Sequence, residues 1–104
     1  MLNKALAEMF GTFFISFFGI GRIFLSERYP QNFPAFWIPI VWGLIISLMI
    51  FLIGHVSGAH FNPAVTLAFV IDKRLPMAQA PIYWASQMIG GLAAIGLLEI
   101  LKKT

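Results

Sequence analysis

The stretch Gly54-His55-Val56-Ser57-Gly58-Ala59-His60-Phe61-Asn62-Pro63 decides how this chain folds. It lies inside a run from Pro34 to Ile71, 38 residues without a charged side chain. As one helix, at 1.5 Å per residue, that run would be about 57 Å long, nearly twice a hydrocarbon core of about 30 Å. It cannot be one straight span. Two glycines, two histidines, a serine, an asparagine and a proline break an otherwise aliphatic sequence. After the break, Pro63-Ala64-Val65-Thr66-Leu67-Ala68-Phe69-Val70-Ile71 reads as a short helix, with Asn62 at its N-cap and Pro63 at its first position. Nine residues give about 13 Å, roughly half a bilayer. Asp72-Lys73-Arg74 then halts the segment at the headgroups.

Two further apolar stretches flank this one. Ala5–Leu25 carries only Glu8 near its start and Arg22 near its end, and the 23 residues from Pro76 to Leu98 carry no charge. Each matches the roughly 20 residues a membrane span needs. The loop Ser26–Pro34 is polar and holds two prolines, so it belongs outside the hydrocarbon. Composition agrees: of 104 residues, 60% are hydrophobic and 11% charged, with a mean hydropathy of +0.87. Soluble domains carry about 25% charged residues. Aromatics at 15% exclude a disordered reading, and the absence of cysteine excludes disulfides and thiolate metal sites. The net charge of +3 is scattered and offers no basic face for nucleic acid. Glu8 interrupts the place where a cleavable signal core would begin, so the first segment is expected to remain as a span.

The expected fold is therefore all-α and integral to the membrane, multi-pass in the cell or plasma membrane. Residues 1–104 form one domain with three transmembrane helices over about 5–25, 36–54 and 76–98, and a re-entrant loop and half-helix over about 55–71. Irregular backbone at membrane depth survives only when buried in protein or lining a wet cavity. Residues 54–62 are thus the expected functional centre.

Ser57-Gly58-Ala59-His60-Phe61-Asn62-Pro63-Ala64-Val65-Thr66 resembles the first signature of the aquaporin and glycerol-facilitator (major intrinsic protein) family. Bare Asn-Pro-Ala is weak evidence; the ten-residue context inside a broken apolar run is highly specific. Ala7–Phe13 resembles the family's first helix and Tyr83–Gly91 its third. The resemblance covers the whole chain but only the N-terminal half of a family member. Members are about twice this length, with two inverted repeats. It implies a passive channel for water and small neutral solutes such as glycerol, with no cofactor. One repeat cannot enclose a pore, so the partner is expected to be a second, antiparallel copy, or else the chain is a non-conducting piece that needs a separate partner half. Lys4, Lys73 and Arg74 on one side against Arg22, Arg28, Lys102 and Lys103 on the other give no positive-inside preference, as a dual-topology homodimer requires.

Pore roles follow from the resemblance. Asn62, with Pro63 and Ala64, caps the positive end of the half-helix dipole and offers its amide to a passing water. Gly58, Ala59, His60 and Phe61 present carbonyl oxygens in a row. Trp42, 20 residues before Asn62, corresponds to the aromatic constriction, the plainer reading being an interfacial belt residue like Trp37. Val65 is aliphatic where the second signature, absent here, would place the selectivity arginine. Arg22 is either a charge at the mouth or a snorkelling helix end. Glu8 and Gln87 are expected to hydrogen-bond the backbone of the re-entrant loop, and Glu8, Thr12 and Ser16 to form a polar stripe facing the bundle. The rival reading of Glu8 is the proton-coupling carboxylate of a small dual-topology exporter. His55 and His60 have no third ligand nearby, so no metal site is expected. Ser86, Gly90 and Ala94 form a small-residue ridge suited to close helix packing.

Overall fold

A computed structural model describes residues 1–104. It is entirely helical: α1 (Leu2–Arg28), α2 (Ile38–Ser57), α3 (Pro63–Ile71) and α4 (Ala80–Lys102), with 3₁₀ turns Ala35–Trp37 and Met77–Gln79 leading into α2 and α4. Three of these elements are long and apolar enough to cross a membrane.

Residue pairs give the directions. Gly90 of α4 lies against Met9, Gly21 of α1 against Leu98, and Arg28 beside Lys102, so α1 and α4 run parallel. Glu8 meets Ser57 while Gly19 meets Trp42, so α2 runs antiparallel to α1. The segment from Gly58 to Gln79 therefore joins the end of α2 to the start of α4 on one side of the long helices, with α3 packed against α4. The short α3 does not carry the chain across.

Local chemistry sets the boundaries. Proline occupies an early position of α2, α3 and α4, where its missing N–H costs nothing. The break after α2 falls at Gly58, four residues beyond Gly54. Gly58 adopts φ +93, and its N–H caps the helix on the Gly54 carbonyl at 2.8 Å. A left-handed glycine just past the last turn is a common helix terminator. His55 and Ser57, expected in the loop, thus complete α2. Helix α1 continues to Arg28, through part of the sequence read as loop.

The small-residue ridge lies in the α1–α4 contact: Ser86, Gly90 and Ala94 are all buried. A Cβ on Gly90 would stand 2.3 Å from the Met9 carbonyl oxygen, so the two backbones touch there. A smaller cluster of Ile15, Ile45 and Met49 joins α1 to α2. Most of α2 stays uncovered, with Leu44, Leu48 and Phe51 exposed.

Candidate functional site

Glu8, fully buried on the second turn of α1, is the hub. Its Oε2 accepts from Ser57 Oγ at 2.6 Å and from the His60 N–H at 3.1 Å. Its Oε1 accepts from the Phe61 N–H at 2.8 Å and from Gln87 Nε2 at 2.9 Å. One carboxyl group thus ties α1 to the end of α2, to the loop and to α4. A charged side chain inside a span is expensive unless it is paired or hydrogen-bonded, and four donors meet that demand.

These bonds fix an unusual backbone. Ala59 and Phe61 sit at φ 59 and φ 52, a left-handed region that non-glycine residues rarely enter. Such conformations persist where their surroundings over-determine them. Here the N–H groups of His60 and Phe61 are aimed at Glu8, and that of Ala59 reaches Ser57 Oγ at 3.3 Å. The carbonyl oxygens of Gly58, Ala59, His60 and Phe61 accept no hydrogen bond from the chain. Four successive acceptors are therefore left for something else.

Asn62 follows in extended conformation, φ −160 and ψ 129, and its Oδ1 accepts from the Ala64 N–H at 2.8 Å. With the oxygen committed to the cap, its amide nitrogen bonds nothing in the chain and is free to donate. Asn62, Pro63, Ala64 and Val65 are all exposed on the first turn of α3.

Helix α4 clamps this turn from the other side. Gln87 Nε2 donates to Thr66 Oγ1 at 2.9 Å as well as to Glu8, so it bridges two side chains and not the loop backbone expected from the sequence. Thr66 is fully buried, and its Oγ1 stands 2.9 Å from His60 Nδ1. With Gln87 donating to it, Thr66 can turn its own proton to His60. The His60 ring lies between Phe69 and Tyr83, with centroids 4.5 and 4.6 Å away. Tyr83 donates to the Ser57 carbonyl at 2.6 Å, and Trp84 Nε1 to the Pro63 carbonyl at 3.1 Å. Thr66, Tyr83 and Trp84 were not singled out by sequence reasoning. Their polar tips among apolar neighbours were the available signal, since a buried Tyr or Trp needs a partner.

Two other expected residues stand apart from the hub. Trp42 is half-buried on α2, its ring over Gly19 of α1. Arg22 donates to Ser26 Oγ and to the carbonyls of Phe33 and Pro34, at 3.3 and 2.8 Å, and its guanidinium lies 5.2 Å from the Phe33 ring centre. It fastens the α1–α2 loop. His55 is exposed on α2, away from buried His60.

Three apolar helices long enough to span a bilayer, packed around a buried polar hub, define an integral, multi-pass membrane protein. The chain belongs to the major intrinsic protein family, whose profile matches residues 1–104. It is 45% identical over 102 residues to Aquaporin NIP1-1 of Oryza sativa subsp. japonica, covering 96% of this chain and 35% of that protein. It is 42% identical to Nodulin-26 of Glycine max, covering 96% and 37%. With Putative aquaporin NIP4-1 of Arabidopsis thaliana the identity is 43%, covering 99% and 36%. The chain thus spans a little over a third of the length of these relatives.

Proposed function

We propose that this chain is one half of a passive channel for water and small neutral solutes such as glycerol, its passage running beside the Gly58–Phe61 carbonyls and the Asn62 amide. The observation that carries this reading is the pairing of four unbonded carbonyls with a free donor at a helix N-terminus. Such a file replaces part of a permeant's hydration, while the positive dipole end opposes cations. The return of α3 to the end where it started supports a re-entrant half-helix. In this placement unbonded polar backbone lies at membrane depth, which calls for a wet lumen. Gly58, Ala59, His60, Phe61, Asn62, Pro63, Ala64, Trp42 and Val65 line it, and Glu8 and Gln87 support it.

A second copy, inserted antiparallel in the cell membrane, closes the passage. The lack of cytoplasmic charge bias permits both orientations. The exporter reading of Glu8 gains no support from its surroundings: the carboxyl is fully buried and both oxygens are held by structural donors.

The test is osmotic swelling of vesicles reconstituted with this chain. Water flux should exceed that of protein-free vesicles and be lost in Asn62→Leu with assembly intact. Unchanged flux in that variant would remove the pore from Asn62. Because the chain has no cysteine, single cysteines placed beside Asn62 should crosslink to themselves in an antiparallel pair.

A further inference from the structure

Helix α1 carries two glycines, eight residues apart, that each sit under an aromatic ring. A Cβ on Gly19 would stand 2.5 Å from Trp42 Cε2 and Cζ2 and 2.7 Å from Cδ2. One on Gly11 would stand 2.2, 2.6 and 2.7 Å from Phe61 Cε1, Cδ1 and Cζ. Three neighbouring ring atoms at nearly one distance mean that each ring turns its face to the glycine. Carbon atoms in contact stay about 3.5–4.0 Å apart, so neither ring can keep its place over any larger residue. In both cases the nearest atoms belong to a side chain, and the ring would give way before the helix does. At Gly90 the nearest atom is backbone, the Met9 carbonyl oxygen.

We infer that Gly19 is a specificity-determining residue that acts through Trp42. It is the socket that holds the indole flat on α1 and so sets how much width Trp42 leaves for a permeant. This rests on the reading of Trp42 as the constriction. Phe61 shows the same device: its N–H is tied to Glu8, its ring is seated on Gly11, and its carbonyl accepts no hydrogen bond from the chain.

Gly19→Ala adds one methyl under the indole. To restore contact distance the ring must retreat by roughly 1–1.5 Å, toward the side that Gly19 does not occupy. Against a water about 2.8 Å across, that is a large part of the passage. Pore width governs selectivity, so a larger solute loses more than water does.

Two measurements on the full chain decide the matter. In protein grown with 5-fluorotryptophan, the ¹⁹F resonances of the three tryptophans are assigned by single Trp→Phe variants. The Trp42 resonance should move in Gly19→Ala and stay put in Gly96→Ala, where a Cβ meets nothing within 4 Å. In vesicles, Gly19→Ala should lower glycerol uptake about tenfold and water flux only about two- to threefold, as a narrower pore requires. In a Trp42→Leu background the same substitution should change neither. An unmoved Trp42 resonance overturns the socket, as does a defect of equal size in the Trp42→Leu background, which would reveal helix packing alone. Should Gly19→Ala not fold, recovery of folding by Trp42→Leu supports the socket, and no recovery overturns it. Wild-type vesicles without flux would sink the channel reading and the selectivity consequence with it, while the resonance still judges the socket.

Discussion

Replacing Glu8 by glutamine keeps the size of the side chain and exchanges one acceptor oxygen for an N–H₂ donor. Both oxygens of Glu8 face donors, so the amide nitrogen meets donors whichever way it is turned. At the Oε1 position it meets the Phe61 N–H and Gln87 Nε2. Gln87 can turn over and present its own Oε1, a buried oxygen with no partner in the native structure, but Phe61 cannot. At the Oε2 position it meets Ser57 Oγ and the His60 N–H. The serine can rotate to accept; the backbone of His60 cannot. Either orientation orphans one N–H of the left-handed loop. An unsatisfied buried donor costs about 1–3 kcal/mol, and each 1.4 kcal/mol is tenfold in an opening equilibrium. Amide exchange at His60 and Phe61, read by hydrogen–deuterium exchange of the reconstituted protein, should therefore speed up by about 5- to 150-fold. Glu8→Ala removes the acceptor of both N–H groups and should cost about twice as much. Exchange at these two amides as slow in Glu8→Gln as in the native chain would refute the hub.

Gly90→Ala should force α1 and α4 apart at Met9 and lower the thermal midpoint in detergent sharply. Gly96→Ala, in open space, should be neutral or stabilise by up to about 1 kcal/mol through helix propensity. Asn62→Asp keeps the cap oxygen but puts a negative charge where the dipole end repels cations, so cation leak should rise relative to water flux in a vesicle assay. Val65→Arg adds a fixed positive charge to the exposed first turn of α3. Repulsion of a cation at 4 Å is about 4 kcal/mol at an effective dielectric near 20, so proton leak read by a pH-sensitive dye should fall by up to nearly three decades. The native chain, lacking that charge, should admit glycerol and leak protons more than a variant that carries it. A reporter at Thr104 should appear on both membrane faces, and two lysines added near Asn3 should bias insertion and depress flux.

Elements whose cause is local were legible in the sequence, and those whose cause comes from another helix were not. The uncharged run longer than any span announced a break, and Asn62-Pro63 announced the start of α3. The sequence places the end of the second span at Gly54, whereas Gly58 ends it, because Gly54 and Gly58 look alike until φ is known. A carboxylate inside a span had to find donors, so the importance of Glu8 could be read from residue type alone. Its partners lie 49 to 79 positions away, and no local pattern names them. The family resemblance points to Gln87 but to the loop backbone as its partner, whereas its amide donates to Glu8 and Thr66. Nothing local in an apolar helix shows that Tyr83 and Trp84 donate to the carbonyls of Ser57 and Pro63. Arg22 resembled a snorkelling helix end, and only the folded loop shows which carbonyls need it.

The same limit explains why a partner's position cannot be read from hydrophobicity. Lipid tails are as apolar as leucine, so a lipid-facing helix and one facing a partner look alike in an aliphatic sequence. Polar atoms break the tie. Leu44, Leu48 and Phe51 on α2 expose nothing that lipid cannot cover. Around the first turn of α3, the exposed Asn62 amide and the unbonded Gly58–Phe61 carbonyls are groups that hydrocarbon would leave unpaired at several kcal/mol each. In the proposed placement that face must meet water or a partner that completes a wet passage. Within α2, Trp42 is half-buried, one face of its ring on Gly19 and its side chain against the Ile15, Ile45 and Met49 cluster, so in the proposed placement one glycine on the neighbouring helix would bear on what passes.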